Sequence, residues 1–257
     1  MILGILQARV SSSRLPGKVL KPILGKPMLL RQIERLRRIK NLDGLLVATS
    51  VEVSDDPIEV LCRENNIGCF RGSLEDVLDR FYQAAKKYEP AHIVRFTGDC
   101  PLIDPEVVER LVALHLQGAF DYTSLTKPPT FPDGLDAEIF RYSVLERTWC
   151  EAILPSYREH VTPYIYREPS NFILGNLANM VNLAHLRWTV DNQEDMELVV
   201  KIYEALHTKK PNFLLEDILD FLVDNPYLCA LNVKYKRNEG LIRSLKQDAF
   251  SQNFTEK

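Results

Sequence analysis

Short apolar runs alternate with segments of helical apolar spacing along the first 118 residues. The run 2–6 has the length and character of a buried strand. Residues 28–39 follow, with Leu29, Leu30, Ile33, Leu36 and Ile39 at helical spacing and Arg31, Arg35 and Arg38 on the wet side. The runs 45–48, 69–71 and 91–96 predict further strands. Between them, Ser54-Asp55-Asp56-Pro57 opens a helix reaching about residue 66. Ser73, with Asp76 three residues on, opens a helix over 74–88, and Asp104-Pro105 opens one over 106–116. Strand and helix in this alternation predict a parallel, doubly wound sheet.

The alternation stops near residue 118. Residues 121–140 read as irregular, with Pro128, Pro129 and Pro132 ahead of Asp133-Gly134. Helical spacing returns over 143–152 and 158–167, the latter interrupted near Pro163. Residues 172–177 and 181–190 predict two strands of a hairpin turning at Asn179, and 192–206 and 213–223 predict helices. The pattern weakens after Asn225, and the last dozen residues are expected to fray. The expected organisation is one α/β domain over 1–225, with a small lobe inserted at about 121–185. Residues 226–257 would be a partly disordered C-terminal extension.

With 257 residues, 46% apolar and 26% charged, the chain suits one large soluble domain. A net charge of -3 and a pI near 6.0 supply no broad cationic field. That argues against a nucleic-acid partner and makes any anion site local. No apolar run approaches the roughly 20 residues that span a bilayer. The first residues lack the regions of a secretory leader, so a cytoplasmic protein without membrane contact is expected. The five cysteines are scattered, form no CxxC pair and read as reduced structural thiols.

Candidate chemistry gathers at strand ends. Past the first strand, Arg9, Ser12, Ser13, Arg14 and Lys18 surround the flexible Gly17, with Ala8 at the strand's edge. Ligands bind there in open α/β sheets, and cations with accessible backbone suit a triphosphate. The loop matches neither GxxxxGK[ST] nor GxGxxG, so neither a P-loop nor a dinucleotide site is indicated. A solvated basic loop is the bland alternative. Thr49 and Ser50 end the second strand. Asp99, after Gly98, and Asp191 each follow a predicted strand. Two carboxylates so placed suit Mg2+, which takes one or two from the protein and fills its shell with water and phosphate oxygens. Each could equally cap the following helix, more so Asp191. Asp133, Asp136 and Glu138, with Arg158, Glu159 and His160 downstream, suggest a polar wall for sugar hydroxyls, or else a solvated loop. His160 has no zinc-ligand spacing.

In order, these segments resemble the cytidylyltransferase family, which activates acidic sugars such as sialic acid and 3-deoxy-manno-octulosonate as CMP conjugates. Residues 7–18 are similar to its N-terminal signature, Gly98-Asp99-Cys100-Pro101-Leu102-Ile103 to its GDxPLI segment, and Trp188-Thr189-Val190-Asp191 to its late aspartate segment. Residues 132–138 and 158–163 resemble the spore-coat polysaccharide biosynthesis protein F branch. The resemblance implies a three-layer α/β/α, nucleotide-diphospho-sugar transferase-like (Rossmann-like) fold, a mostly parallel sheet with a small antiparallel lobe. It implies Mg2+-dependent transfer of CMP from CTP to an acidic eight- or nine-carbon sugar with release of pyrophosphate, serving surface polysaccharide or glycan biosynthesis. Arg9, Ser12, Arg14 and Lys18 would hold phosphates, and Arg9, Arg14, Lys18 and Asp99 would form the catalytic set. Ala8, Ser13, Thr49, Ser50 and Gly98 would complete the nucleotide site, and Asp99 and Asp191 would hold the metal. Asp133, Asp136, Glu138, Arg158 and His160 would face the sugar. Arg141, Arg158 and Arg187 are candidates for a sugar carboxylate, and no spacing selects among them. The family also forms homodimers through its later lobe, where Tyr157, Tyr164, Ile165 and Tyr166 would serve either that contact or the core. Competing readings are a sugar-1-phosphate nucleotidyltransferase using GTP or another NTP, a glycosyltransferase and a non-catalytic nucleotide sensor.

Overall fold

In the computed structural model, which describes residues 1–255, the first apolar run forms β1 (Ile2–Gln7). Its side chains divide between two cores, Leu3 and Ile5 on one side and Leu6 on the other. A strand buried on both faces has no polar face, which is why the run is continuously apolar. A short antiparallel ladder, β2 (Pro22–Ile23) with β3 (Lys26–Pro27), leads into α1 (Met28–Leu36). The alternation continues through β4 (Gly44–Ser50), α2 (Asp56–Glu64), β5 (Gly68–Gly72), α3 (Val77–Lys86), β6 (His92–Thr97) and α4 (Pro105–Gln117). Then come β7 (Tyr122–Ser124), β8 (Glu138–Arg141), α5 (Tyr142–Glu151), α6 (Pro155–His160), α7 (Pro163–Arg167) and β9 (Leu174–Asn176). The chain closes with α8 (Gln193–Leu206), α9 (Leu215–Asp224) and α10 (Glu239–Thr255).

The main sheet has the order β5-β4-β1-β6-β8-β7-β9. The strands from β5 to β6 are parallel neighbours, and β8 runs antiparallel to both β6 and β7. Leu6, Val47 and Val94 face α1, α2, α4, α8 and α9 in one core. Ile5, Ala48 and Ile93 face α3, α5, α6 and α7 in the other. This is the expected three-layer α/β/α arrangement. No helix among the described residues is long and apolar enough to cross a membrane.

Several details differ from the sequence pattern. Arg31 and Arg35, expected on the wet side of α1, are buried and donate to Ile23 O and Ile103 O. β4 runs on through Thr49 and Ser50, both wholly buried. Residues 121–140 carry two strands, β7 and β8, which extend the main sheet, while the small antiparallel ladder lies at 22–27. The expected hairpin does not form. Only Leu174–Asn176 is a strand, paired parallel to β7, and 181–190 is irregular. Trp188 and Val190 are apolar there because they enter the core. Their amides donate to the carbonyls of Asp133 (2.6 Å) and Asp99 (2.8 Å) instead of a hairpin partner. Finally, α10 is a docked helix, held where Asp248 accepts Ser156 N at 3.2 Å. Of the last dozen residues, expected to fray, 246–255 continue this helix and 256–257 lie outside the described residues.

Candidate active site

Because β1 and β6 are parallel neighbours, the loops following them leave the same sheet edge. Gly98 N donates to the Gln7 carbonyl at 2.8 Å. A Cβ at position 98 would stand 2.9 Å from that oxygen and 3.1 Å from Ala8 Cβ, so only glycine lets the two loops lie this close. A cavity of about 550 Å3 opens over this edge. The first loop lines it with Ala8, Arg9, Ser12, Ser13, Arg14 and Lys18, and the later segments add Gly98, Asp99, Asp133, Asp136, Glu138, His160 and Asp191.

Thr49, Ser50 and Arg158 are not among the lining residues. Ser50 is turned inward, its N–H donating to Asp55 Oδ2 at 3.1 Å and its hydroxyl to the same oxygen. Arg158 lies across Asp76, with Nε at 3.0 Å from each carboxylate oxygen, and also donates to Trp149 O. It ties α6 to α3. Of the other arginines weighed for a sugar carboxylate, Arg141 is paired with Asp121 and donates to Phe120 O. Arg187 lines the cavity but is claimed by Asp133, Asp191 and Asp195. Burial opposes its charge, and those carboxylates outweigh burial and raise its pKa. None of the three is left for an incoming anion.

The charged centre is built around Lys18. Its side chain is almost buried, and Nζ donates to Val190 O at 2.8 Å and Asp191 Oδ1 at 2.9 Å, with Asp99 Oδ2 at 3.6 Å. Arg14 Nη2 meets the same Asp191 oxygen at 2.8 Å. Burial alone would push the Asp191 carboxyl up, but Lys18, then Arg14 and Arg187, hold it below its ordinary range. Neither aspartate caps a helix. α8 is capped at Asn192, whose N–H donates to Asp195 at 2.9 Å, and α4 is capped by Asp104. Both carboxylates therefore face the cavity, Asp191 already paired there with Lys18, Arg14 and Arg187.

Two carboxylates converging on one cation suit a divalent ion completed by phosphate oxygens. Among the described residues no group of three His, Cys, Asp or Glu side chains could hold a metal unaided. The donor set thus fits Mg2+ carried with a nucleotide better than a resident ion.

The acid cluster is partly consumed by the fold. Glu138 on β8 accepts from Arg95, Tyr122 and Thr162. Asp136 pairs with Arg237. Asp133 is pushed up to about 7 by burial and then by Asp136, with Arg237 and Arg187 pulling the other way. His160 Nε2 lies 3.1 Å from Ser244 Oγ. Tyr157 and Ile165 are buried, and Tyr166 lines the cavity.

Sequence reasoning missed Arg80, Arg95, Lys127 and the C-terminal wall of Glu239, Arg243, Ser244 and Gln247, all lining the cavity. Arg80 was findable. It falls on the apolar stripe of α3 with Val77, Phe81 and Ala84, and a cation at a core position asks for an anion. It is 2% exposed, its Nε has no hydrogen-bond partner, and burial followed by repulsion from Arg9 lowers its pKa to about 10.

Comparison with known proteins follows the same lines. Residues 3–244 match the family described as Cytidylyltransferase. The chain is 40% identical to the uncharacterized protein MJ1063 of Methanocaldococcus jannaschii, over 90% of this chain and 94% of that one. It is 33% identical to the spore coat polysaccharide biosynthesis protein SpsF of Bacillus subtilis, over 88% and 95%. A solved cytidylyltransferase from Leptospira borgpetersenii superimposes with a TM-score of 0.86 at 33% identity, covering 91% of this chain and 99% of that one.

Proposed function

The chain belongs to the cytidylyltransferase family, and on that premise we propose that it transfers CMP from CTP to the hydroxyl of an acidic sugar. The observation that carries this reading is the Lys18 ammonium, shared by Asp99 and Asp191 beside Arg14 at the end of a loop rich in cations and hydroxyls. A triphosphate needs dense positive charge, and Arg9, Arg14 and Lys18 supply it from one short segment. An acceptor oxygen held in line with the α-phosphorus forms the new O–P bond. The α–β bridging bond breaks, pyrophosphate leaves with the electron pair, and the hydroxyl proton passes to water. The residues orient the two substrates and neutralise charge, and no covalent nucleophile is required. Mg2+, held by Asp99 and Asp191, would supply further neutralisation of the phosphates.

An acidic acceptor is favoured by cations that the fold leaves free. Apart from the phosphate-binding loop, Arg243 lines the cavity without an ion pair among the described residues, and the buried Arg80 there has none either. These replace Arg141, Arg158 and Arg187 as candidates for a sugar carboxylate. The family resemblance supports an eight- or nine-carbon sugar, used for surface polysaccharide or glycan biosynthesis from the cytoplasmic CTP pool.

The test is to incubate the protein with each NTP, Mg2+ and a panel of eight- and nine-carbon keto-acid sugars, following pyrophosphate. Release only with CTP and an acidic sugar is expected. Sugar transfer from a finished nucleotide-sugar without pyrophosphate, or turnover with GTP and a sugar 1-phosphate alone, would overturn the proposal.

A further inference from the structure

One of the loop's cations is already taken by the far end of the chain. While Arg14 Nη2 binds Asp191, its Nη1 binds Glu239 Oε2 at 3.3 Å. Glu239 opens α10, and its other oxygen accepts Lys236 N at 3.1 Å. From there α10 walls the cavity through Gly240, Arg243, Ser244 and Gln247. Further along, the helix has anchors of its own. Ser244 Oγ donates to Glu159 Oε2 at 2.8 Å, and Asp248 accepts Ser156 N. Among the described residues, one ion pair joins helix to loop, and its side chains are 30% and 35% exposed. Such a pair is weak in water and yields to a competitor of higher charge. A triphosphate is that competitor.

We propose that Glu239 competes with the nucleotide for Arg14, holding the guanidinium in the free protein and giving it up when a triphosphate binds. In the free protein it and Asp191 hold the two ends of the Arg14 guanidinium. An incoming triphosphate takes the Glu239 seat on Nη1, while Asp191 keeps Nη2. The displaced carboxylate then faces phosphate charge, so the first turn of α10 loosens as nucleotide binds. The inference rests on the reading of the first loop as the phosphate site.

Glu239→Gln tests it, because glutamine keeps the acceptor for Lys236 N and the side-chain shape while removing the charge. Affinity for Mg-CTP and for inorganic tripolyphosphate is measured by calorimetry on the full chain. The variant is expected to bind both about two- to fivefold more tightly, the size set by an exposed pair. The gain should shrink at high salt, and KM for CTP should fall with kcat unchanged. In the wild-type protein, CTP should speed amide exchange at residues 238–241. Equal or weaker binding by the variant, or slowed exchange, overturns the inference and leaves the CTP reading standing. Tighter tripolyphosphate binding with no CTP binding upholds the inference and removes the CTP reading. Binding of neither probe removes both.

Discussion

Asp99 and Asp191 reach the same ammonium, yet they are embedded differently. The Asp99 side chain is 28% exposed and lies at 3.6 Å from Lys18, with Cys100 Sγ its other partner among the described residues. Asp191 is tied to Lys18, Arg14 and Arg187. Asp99→Asn should therefore cost under about 0.5 kcal/mol in urea unfolding, while CMP transfer falls by about 100-fold or more. Near-normal turnover would remove Asp99 from the chemistry. Gly134 shows the opposite balance. Its φ is +108°, and a Cβ there would stand 2.3 Å from Thr189 N. Gly134→Ala should cost about 2–4 kcal/mol, since strained backbone and a clash with main chain add. The junction it protects joins Asp133 to the segment carrying Asp191, so activity should fall with stability. Most of the site residues singled out from the chain do line the cavity, because cations and acids are out of place at strand ends. Thr49 and Ser50 could not be judged this way. A small polar residue buried against Asp55 and one exposed at a strand end look alike in sequence.

At the scale of elements, the parallel half was legible because β1, β4 and β6 are buried on both faces and alternate with amphipathic helices, of which α3 and α4 open on a capping aspartate. The segment 181–190 misled because burial of Trp188 and Val190 mimics strand alternation, while its backbone is satisfied by carbonyls of distant loops. α10 gave little signal because one of its faces lines a polar cavity, so the helix lacks a clean apolar stripe. Elements are also joined by a histidine relay. His92 Nδ1 on β6 lies 3.0 Å from His115 Nε2 on α4, and His115 Nδ1 lies 2.9 Å from Thr123 Oγ1 on β7. Burial, then His92 and Arg141, lower the His115 pKa to about 4, with Asp121 opposing. The unfolded chain takes up that proton near the ordinary value of about 6.5. Between the two values the unfolded state binds more protons, so stability falls as pH is lowered. At pH 5 the loss relative to pH 7.5 should be about 1–2 kcal/mol from this residue. His115→Gln should flatten that part of the urea-stability profile, and an unchanged slope would assign the acid sensitivity to other groups.

Over the whole molecule, the cavity draws its walls from residues 7–18, 97–100, 133–138 and 187–191 and from α10. A ligand bound there touches both ends of the chain, so its binding energy should appear in global unfolding. At about 100 times Kd, a ligand that binds only the folded state adds about 2.7 kcal/mol. For a domain of this size that corresponds to a Tm rise of roughly 5–10 °C. The chain's net charge of -3 repels a nucleotide at long range, so attraction must come from the local cations. Attraction of that kind is screened, and the Tm rise at fixed CTP should shrink between 0.05 and 0.5 M salt as the Debye length falls from about 14 to 4 Å. Arg9 isolates the effect. It is exposed and has no ion pair among the described residues, so Arg9→Ala should leave the unliganded Tm unchanged. CTP affinity should drop by about tenfold, as expected for one lost charge-assisted contact, and with it the Tm rise. If Arg9→Ala kept the full rise, the phosphates would lie elsewhere in the cavity, and the first loop would be a wall and not the triphosphate site.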